Sequence, residues 1–200
     1  MPAPTPIAWN YNNHYHRFIL SMMPRPCSRA LEVGCGDGAL AQQMMQFAGS
    51  VTGIDRSTDC VHLAQGNDVE GRVEYLCGDF LPCPLAPASF EFIASIAALH
   101  HMDEEHALRR MKELLKPGGT LAIIGLGKSR YPADLARDSV AVAFDRVHRL
   151  GSGYRESIAP QLSPVHTYRE LRGMATRLLP GCHFKRRLLW RYSLTWSKPL

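Results

Sequence analysis

Residues 31–38 have the sequence Leu-Glu-Val-Gly-Cys-Gly-Asp-Gly, in which a short apolar segment runs directly into three glycines, Gly34, Gly36 and Gly38. The apolar segment predicts a strand, and the apolar stripe that begins at Leu40 predicts a helix. Glycines between a strand and a helix let the backbone turn tightly and approach a ligand closely. The pattern therefore predicts a nucleoside-binding loop. It also fits a dinucleotide fingerprint, so two cofactor classes stay open at this point.

Strand and helix patterns alternate along most of the chain. Short apolar segments predict strands at 29–33, 50–54, 72–77, 90–96 and 120–124, with amphipathic helices between them. This alternation predicts a parallel sheet with helices on both faces. A capping-box motif at 167–170 begins a last helix, and the alternation within 182–198 predicts an antiparallel strand pair that turns near Leu189. The expected fold is an α/β, Rossmann-like sheet of seven, mostly parallel strands.

The length of 200 residues suits a single domain with one sizeable core. We divide it into an N-terminal arm and helix, a cofactor-binding core, an insertion, and a last helix with the strand pair, over residues 1–28, 29–125, 126–166 and 167–200. The insertion is longer than a plain connection needs, and residues 135–150 within it are amphipathic. We therefore expect a lid or substrate-binding element there.

Composition and charge narrow the classes of function. No apolar run approaches the roughly 18 residues that cross a bilayer, and the N-terminus lacks a signal-peptide pattern, so we expect a cytoplasmic protein with no membrane contact. The six cysteines have no short ligand spacing, which predicts free thiols and no metal site. The net charge of +5 comes from basic residues gathered within 185–198. Their position favours a solvent-facing strand surface over a nucleic-acid surface.

Acidic residues stand at the ends of three predicted strands, where the carboxyl ends of parallel strands form one ligand-binding edge. Glu32 precedes the glycine loop, and its carboxylate would repel a pyrophosphate but suit an aminoacyl sulfonium cation. Asp55 ends the second strand and suits ribose hydroxyls. Asp79 and Phe80 end the third strand and offer an acceptor for an adenine amino group and a ring for the adenine face. Together these features favour S-adenosylmethionine over a dinucleotide.

Five stretches of the chain resemble the class I S-adenosylmethionine-dependent methyltransferases, the broad group that includes the quinone-biosynthesis methyltransferases. The stretches are 32–38, 53–55, 78–80, 89–96 and 115–121, in the family's order and spacing. The resemblance implies a methyltransferase (EC 2.1.1) that uses S-adenosylmethionine as methyl donor and releases S-adenosylhomocysteine. It is specific for the fold and the cofactor, and far less specific for the acceptor.

The resemblance also implies roles for residues of the loop and of the fourth strand. Gly34, Cys35 and Gly36 would hold the methionine part of the cofactor, with Gly38 completing the loop. Ile96, at the end of the fourth strand, would approach the sulfonium.

Further implied contacts concern the nucleoside part. Asp55 would bind the ribose hydroxyls, with Arg56 beside the adenine. Asp79 and the Phe80 amide would bind the adenine edge. Tyr15 and His14, with Tyr11, lie where such enzymes often have a helix that closes over the cofactor.

Histidines are the candidate general bases. Methyl transfer is an in-line displacement on an activated carbon, so the protein mainly aligns the reactants in a dry pocket. A base is needed only where the acceptor must lose a proton. We predict His101, just after the fourth strand with His100, or His16, in the N-terminal segment, as the catalytic residue. A purely structural role is the alternative for each.

Several acceptor classes lack their motif here. Nucleic-acid amino-methyltransferases usually carry an Asn/Asp-Pro-Pro-aromatic motif where residues 95–100 are Ser-Ile-Ala-Ala-Leu-His, and a cytosine-type Pro-Cys pair at 82–83 comes one strand too early. We therefore predict a small-molecule O-, N- or S-methyltransferase whose acceptor is selected by residues 9–23, 97–102 and 126–166. Two alternatives remain, an RNA or protein methyltransferase that docks through the basic C-terminal strands and a non-catalytic S-adenosylmethionine-binding protein.

Overall fold

A computed structural model of the chain describes residues 10–130 and 162–200, and seven strands in these ranges form one sheet. The strands are β1 (Cys27–Val33), β2 (Ala48–Asp55), β3 (Val73–Cys77), β4 (Phe90–Ile96), β5 (Leu115–Leu126), β6 (His183–Arg186) and β7 (Arg191–Ser197). Their order across the sheet is β3-β2-β1-β4-β5-β7-β6. Neighbours from β3 to β5 pair in parallel, whereas β7 pairs antiparallel with both β5 and β6. The predicted fold class is confirmed.

The structure describes five α-helices and two short 3-10 helices, which precede the first and the fourth α-helix. The α-helices are α1 (His16–Ser21), α2 (Ala39–Met44), α3 (Thr58–Asn67), α4 (Glu104–Leu114) and α5 (Tyr168–Leu178), and the 3-10 helices are Asn13–Tyr15 and Leu99–His101. The Asp103 carboxylate accepts the His106 amide at 2.9 Å and begins α4, as predicted. Thr167 and Glu170 form the predicted capping box of α5. Among the described helices, none combines the length and apolarity that a membrane span requires.

Apolar clusters cover both faces of the sheet. Residues of the central strand β4 alternate between them, since Phe92 and Ala94 pack with α1 and α2 while Ile93 packs with α4 and α5. All three are fully buried. The central strands therefore have two covered faces, which is typical of a parallel sheet and explains their continuous apolar sequences.

Two element boundaries differ from the sequence prediction. The apolar stripe that begins at Leu40 continues in the sequence through Phe47 and Ala48, but α2 ends at Met44 and Ala48 already begins β2. Strand β5 begins at Leu115 rather than at Thr120. It runs through Pro117-Gly118-Gly119 because the Gly118 amide donates to the Lys198 carbonyl and the Lys198 amide donates to the Gly119 carbonyl, which extends the pairing with the C-terminal segment. Both differences arise from pairing between distant segments, which local patterns do not show.

The C-terminal strand pair turns where the sequence predicted it, but one of its faces is not solvent-exposed. Leu189 and Trp190 both have φ of 55° and reverse the chain between β6 and β7. Arg191, one of the basic residues predicted on a solvent-facing surface, is only 7% exposed, and Ser193 on the same strand is 3% exposed. Strand β7 lies inside the sheet between β5 and β6, and Arg191 donates to the Asn12 side chain of the N-terminal segment, which covers this face.

The predicted insertion lies mostly outside the described residues, as does the N-terminal arm of residues 1–8. The described ends of the insertion meet each other. The Lys128 amide donates to the His166 carbonyl at 2.8 Å, and Lys128 forms an isolated parallel bridge with Thr167. The His166 ring in turn hydrogen-bonds the Glu104 carboxyl at the start of α4. The chain therefore leaves and rejoins the described fold beside the loop that follows β4.

Candidate cofactor site

A cavity of about 410 Å³ opens at the carboxyl-terminal edge of the parallel strands. Its size lies within the usual range for small-molecule sites. The glycine loop, the ends of β2, β3 and β4, and the 3-10 helix after β4 supply its wall. Of the predicted site residues, the wall includes Gly34, Gly36, Asp55, Arg56, Asp79, Phe80, Ile96 and His101. It does not include Glu32, Cys35, Gly38, His14, Tyr15 or His16.

The three loop glycines have positive φ, but each is needed for a different reason. A Cβ at Gly34 would lie 2.1 Å from the Cβ of Ala98, so this glycine lets the loop after β4 pack against the glycine loop. A Cβ at Gly38 would lie 2.4 Å from the Tyr75 hydroxyl. A Cβ at Gly36 would meet nothing within 4 Å. Gly36 is therefore where a ligand has room to approach the backbone, whereas the other two serve packing.

Asp55 fixes the glycine loop to the end of β2. Its Oδ2 accepts the Gly36 amide and its Oδ1 accepts the Ser57 amide, each at 2.9 Å. Hydrogen bonds to an ionised carboxylate are stronger than neutral ones, so the side chain is held in one orientation. The carboxylate lies at the cavity wall with lone pairs remaining for a further donor.

Asp79 and Phe80 occupy the corresponding position after β3. The Asp79 Oδ1 accepts the Leu81 amide at 3.0 Å, so this residue stabilises a turn as well as lining the cavity. The Phe80 side chain is 3% exposed and packs in the core with Leu31 and Ile54. The ring thus forms part of the apolar floor of the cavity rather than a free stacking surface.

Glu32 does not present a carboxylate at the mouth of the loop, which corrects the sequence prediction. It is 4% exposed and lies outside the cavity wall, and its Oε2 has no hydrogen-bond partner within the described ranges. Burial, with the negative charges of Asp37 and Asp55 nearby, raises the pKa of this carboxyl well above its usual value. Cys35 is also buried and packs against Gly53, so its side chain does not reach the cavity.

Tyr15 lies in the core, and none of Tyr11, His14 and Tyr15 lines the cavity. The Tyr15 hydroxyl donates to the Leu188 carbonyl at 2.7 Å, and the ring of His14 meets the Tyr15 ring edge-on. Burial raises the pKa of Tyr15 to about 12. His16 is 8% exposed and also stands away from the wall. The cofactor contacts predicted for Tyr15 and His14, and the base predicted at His16, therefore have no geometric support here.

The loop after β4 brings His101 to the cavity. Ile96, Ala97 and Ala98 line the wall next to the glycine loop, and the backbone of Ala97 has φ of 54°. The rings of His100 and His101 are tilted against each other at 41° with centroids 4.1 Å apart, and of the two only His101 lines this cavity. Burial, with the positive charge of Arg56 nearby, lowers the pKa of His101. A neutral imidazole at this position can accept a proton.

Comparison with known proteins assigns the family. The family model described as a methyltransferase domain matches residues 31–123. An uncharacterized methyltransferase of Mycobacterium tuberculosis is 32% identical over 193 residues, which cover 96% of this chain and 98% of the relative. The chain belongs to the class I S-adenosylmethionine-dependent methyltransferases.

Two further similarities concern this methyltransferase's fold and relatives. The 27-O-demethylrifamycin SV methyltransferase of Amycolatopsis mediterranei is 34% identical over 142 residues, or 68% of this chain and 50% of the relative. The phosphoethanolamine N-methyltransferase 2 of Haemonchus contortus, solved with S-adenosyl-L-methionine, superposes with a TM-score of 0.66 at 16% identity. That superposition covers 96% of this chain and 54% of the other and shows the shared fold.

Sequence reasoning missed several wall residues of this methyltransferase. Asn12 lines the cavity and accepts a hydrogen bond from Arg191 at 3.0 Å, a contact between the two ends of the chain. Ser57 lines the cavity, and as the N-cap of α3 its hydroxyl accepts a hydrogen bond from the Cys60 amide. The Ser-Thr-Asp sequence after Asp55 carried the signal for Ser57. Asn12 reaches the cavity wall through a contact that forms only in the tertiary fold.

Burial of His16 predicts an acid-sensitive fold. Burial lowers the pKa of this imidazole from 6.5 to about 4, so the folded methyltransferase keeps His16 neutral where the unfolded chain protonates it. The free energy of unfolding should therefore fall as the pH drops from about 6.5 to about 4, by up to about 3 kcal/mol for this group. Urea unfolding of wild type and His16→Gln across this range measures the difference. His62→Gln, at an exposed position, is the control and should keep the wild-type profile, and equal profiles for all three proteins would contradict the assignment.

Proposed function

We propose that this methyltransferase binds S-adenosylmethionine in the cavity and transfers its methyl group to an oxygen, nitrogen or sulfur atom of a small molecule. The main observation in support is that one cavity combines open space at Gly36 with the carboxylates of Asp55 and Asp79, which lie at neighbouring strand ends. A cavity of about 410 Å³ with an apolar floor and two hydrogen-bond acceptors suits a nucleoside. The residues present fit the cofactor that the family uses.

The proposed contacts follow from the wall. Asp55 would accept hydrogen bonds from the ribose hydroxyls, since two backbone amides already hold its carboxylate at the end of β2. Asp79 and the Phe80 amide would face the adenine edge, with Arg56 beside it. Gly36 would let the methionine part lie close to the backbone, and Ile96 would lie toward the reacting end of the cavity.

The chemistry that the bound cofactor supplies is a methyl carbon activated by its sulfonium. The protein's part is then to hold the acceptor in line with that carbon and to exclude water. The wall at Ile96, Ala97 and Ala98 is apolar and has no charged group of its own. His101, at the end of this segment, is the proposed proton acceptor where the acceptor loses a proton.

The acceptor class is inferred from what the basic strands do in the fold. Arg187 lies over the Phe18 ring at 4.4 Å and its Nε donates to Ser193, while Arg186 lies over the Tyr168 ring at 3.9 Å. Arg191 is buried. These side chains stabilise the C-terminal segment, which weakens their role as a docking face for RNA. The similarity to a methyltransferase named for a small-molecule substrate supports a small acceptor.

Transfer from S-adenosylmethionine with a tritiated methyl group tests this function. The purified protein is incubated with the labelled cofactor and one fraction of a cell extract at a time, either the small molecules, the RNA or the proteins. We expect label in the small-molecule fraction only, and at least about tenfold less with Asp55→Ala at a cofactor concentration near the wild-type Kd. Label in RNA or protein would favour the alternative acceptors. Binding of the cofactor without transfer to any fraction would favour a non-catalytic binding protein.

His101→Gln tests the proposed base. We expect kcat with the labelled small-molecule fraction to fall about 100-fold, the lower end of the usual effect of a general base. The Kd for S-adenosylhomocysteine should stay within about twofold of wild type, because we do not assign His101 a cofactor contact. His62→Gln is the control and should change neither quantity. A raised Kd with unchanged kcat would show that His101 holds the cofactor instead.

A further inference from the structure

A second cavity, of about 320 Å³, adjoins the cofactor cavity. Met102 and Asp103 line both cavities, so one short segment separates them. The two adjacent histidines lie on either side of this segment, because His101 lines the first cavity and His100 lines the second. The second cavity therefore adjoins the cavity proposed for the methyl donor across Met102 and Asp103.

Five polar residues line this second cavity: His100, Asp103, Glu104, Glu105 and His166. Glu104 is 5% exposed and its Oε2 is hydrogen-bonded to the His166 ring. Its other oxygen, Oε1, is buried and has no hydrogen-bond partner within residues 10–130 and 162–200. Buried acceptors are nearly always hydrogen-bonded, so an unpartnered carboxyl oxygen at a cavity points to a donor supplied by a ligand.

The neighbouring charges favour an uncharged donor over an ammonium group. Glu105 forms ion pairs with Arg109 and Arg177, and the Asp103 carboxylate accepts the His106 amide. The Glu104 carboxyl has the His166 imidazole beside it. Glu105 is therefore paired with two arginines, and burial raises the pKa of the Glu104 carboxyl above its usual value, which disfavours the charged form that would attract a cation.

The apolar part of the wall consists of three residues and is partly open. Met102 and Met174 line it, and Val165, at its rim, is 76% exposed. Methionine side chains adapt to varied ligand shapes. Burial, with His101 beside it, lowers the pKa of the His100 imidazole to about 4, so this ring is neutral near pH 7.

We infer that the second cavity is the subsite for the methyl acceptor and that it takes an uncharged, hydroxyl-bearing aromatic or alicyclic group. This hydroxyl anchors the acceptor, is distinct from the methylated atom and donates to Glu104, and the apolar body lies against Met102, Met174 and Val165. The inference rests on the proposed function, because only the methyl donor in the first cavity gives the second cavity its role.

Histidine-ring NMR of the full chain, saturated with S-adenosylhomocysteine, tests the inference with two compounds of similar size. We expect 4-ethylphenol to shift the His100 and His166 rings saturably, with a low-millimolar Kd typical of fragments, and to leave the exposed His62 ring unchanged. The amine 4-methylbenzylamine, which is cationic at pH 7, should bind at least about tenfold more weakly. Variants His100→Gln and His166→Gln assign the signals.

Val165→Trp fills the rim and should weaken 4-ethylphenol binding about tenfold, whereas Val69→Trp, at a turn valine that is 92% exposed and remote from both cavities, should not. Three results would overturn the inference: no saturable shift of His100 or His166, tighter binding of the amine, or equal affinities of the two tryptophan variants. Loss of S-adenosylhomocysteine binding itself, measured first by calorimetry, would instead mark a failure of the proposed function.

Discussion

Replacing Asp55 with alanine should weaken S-adenosylmethionine binding about 100-fold. The substitution removes the acceptor proposed for the ribose hydroxyls and the two 2.9 Å hydrogen bonds that hold Gly36 and Ser57 at the cavity. A hydrogen bond to a charged group contributes about 1.5–3 kcal/mol, and 100-fold corresponds to about 2.7 kcal/mol. Calorimetric titration of both proteins with the cofactor gives the ratio.

The matched control is Asp59→Ala, in the exposed first turn of α3 and outside the cavity wall. It removes the same charge close to the same site and should change the Kd by less than about twofold, since exposed charges interact weakly through water. Equal affinities of Asp55→Ala and wild type would mean that the ribose assignment is wrong. A Kd raised as far by Asp59→Ala would mean that charge alone, rather than the Asp55 contacts, accounts for binding.

Gly34→Ala should destabilise the fold by about 2–4 kcal/mol and weaken cofactor binding at least tenfold. The new Cβ would lie 2.1 Å from Ala98, and the residue would also have to keep a φ of 77°. The left-handed conformation costs roughly 1–2 kcal/mol for a residue with a side chain. Relief of the clash has to move the loop after β4, which carries Ala97, Ala98 and His101 in the cavity wall. Urea unfolding and calorimetry measure the two effects.

Gly71→Ala separates the backbone cost from the clash. Gly71 has φ of 60°, and a Cβ there would meet nothing within 4 Å. It also lies outside the cavity wall. We expect Gly71→Ala to lose about 1–2 kcal/mol of stability and to leave the Kd for the cofactor unchanged. If Gly34→Ala behaved in the same way, the contact between the glycine loop and Ala98 would not shape the site.

Local sequence was sufficient for the order of the elements and for the strand ends. Strand β4 lies at Phe90–Ile96 as predicted, and Asp55 and Asp79 both reach the edge where parallel strands end. These features depend on apolar periodicity and on residues adjacent in the chain. The caps at Asp103 and Thr167 are equally local, because each side chain bonds an amide three residues on.

The orientation of single side chains depends on packing that the sequence does not show. Glu32 stands beside the glycines in the chain, but its side chain is buried. The argument that its charge attracts the sulfonium therefore loses its support. The preference for S-adenosylmethionine now rests on Asp55, Asp79 and the family. Asn12 and Ala98 fall within the predicted acceptor-selecting segments 9–23 and 97–102, but their individual positions in the wall depend on partners from distant parts of the chain.

Calorimetric titration of the wild-type protein with S-adenosylhomocysteine, and in parallel with NAD⁺, tests the central claim most directly. The two ligands correspond to the two cofactor classes that a glycine loop after a strand permits. The structure and the family predict one equivalent of S-adenosylhomocysteine bound with a micromolar Kd and no measurable binding of NAD⁺. Absence of binding by S-adenosylhomocysteine, or tighter binding of NAD⁺, would contradict the assignment of the cavity.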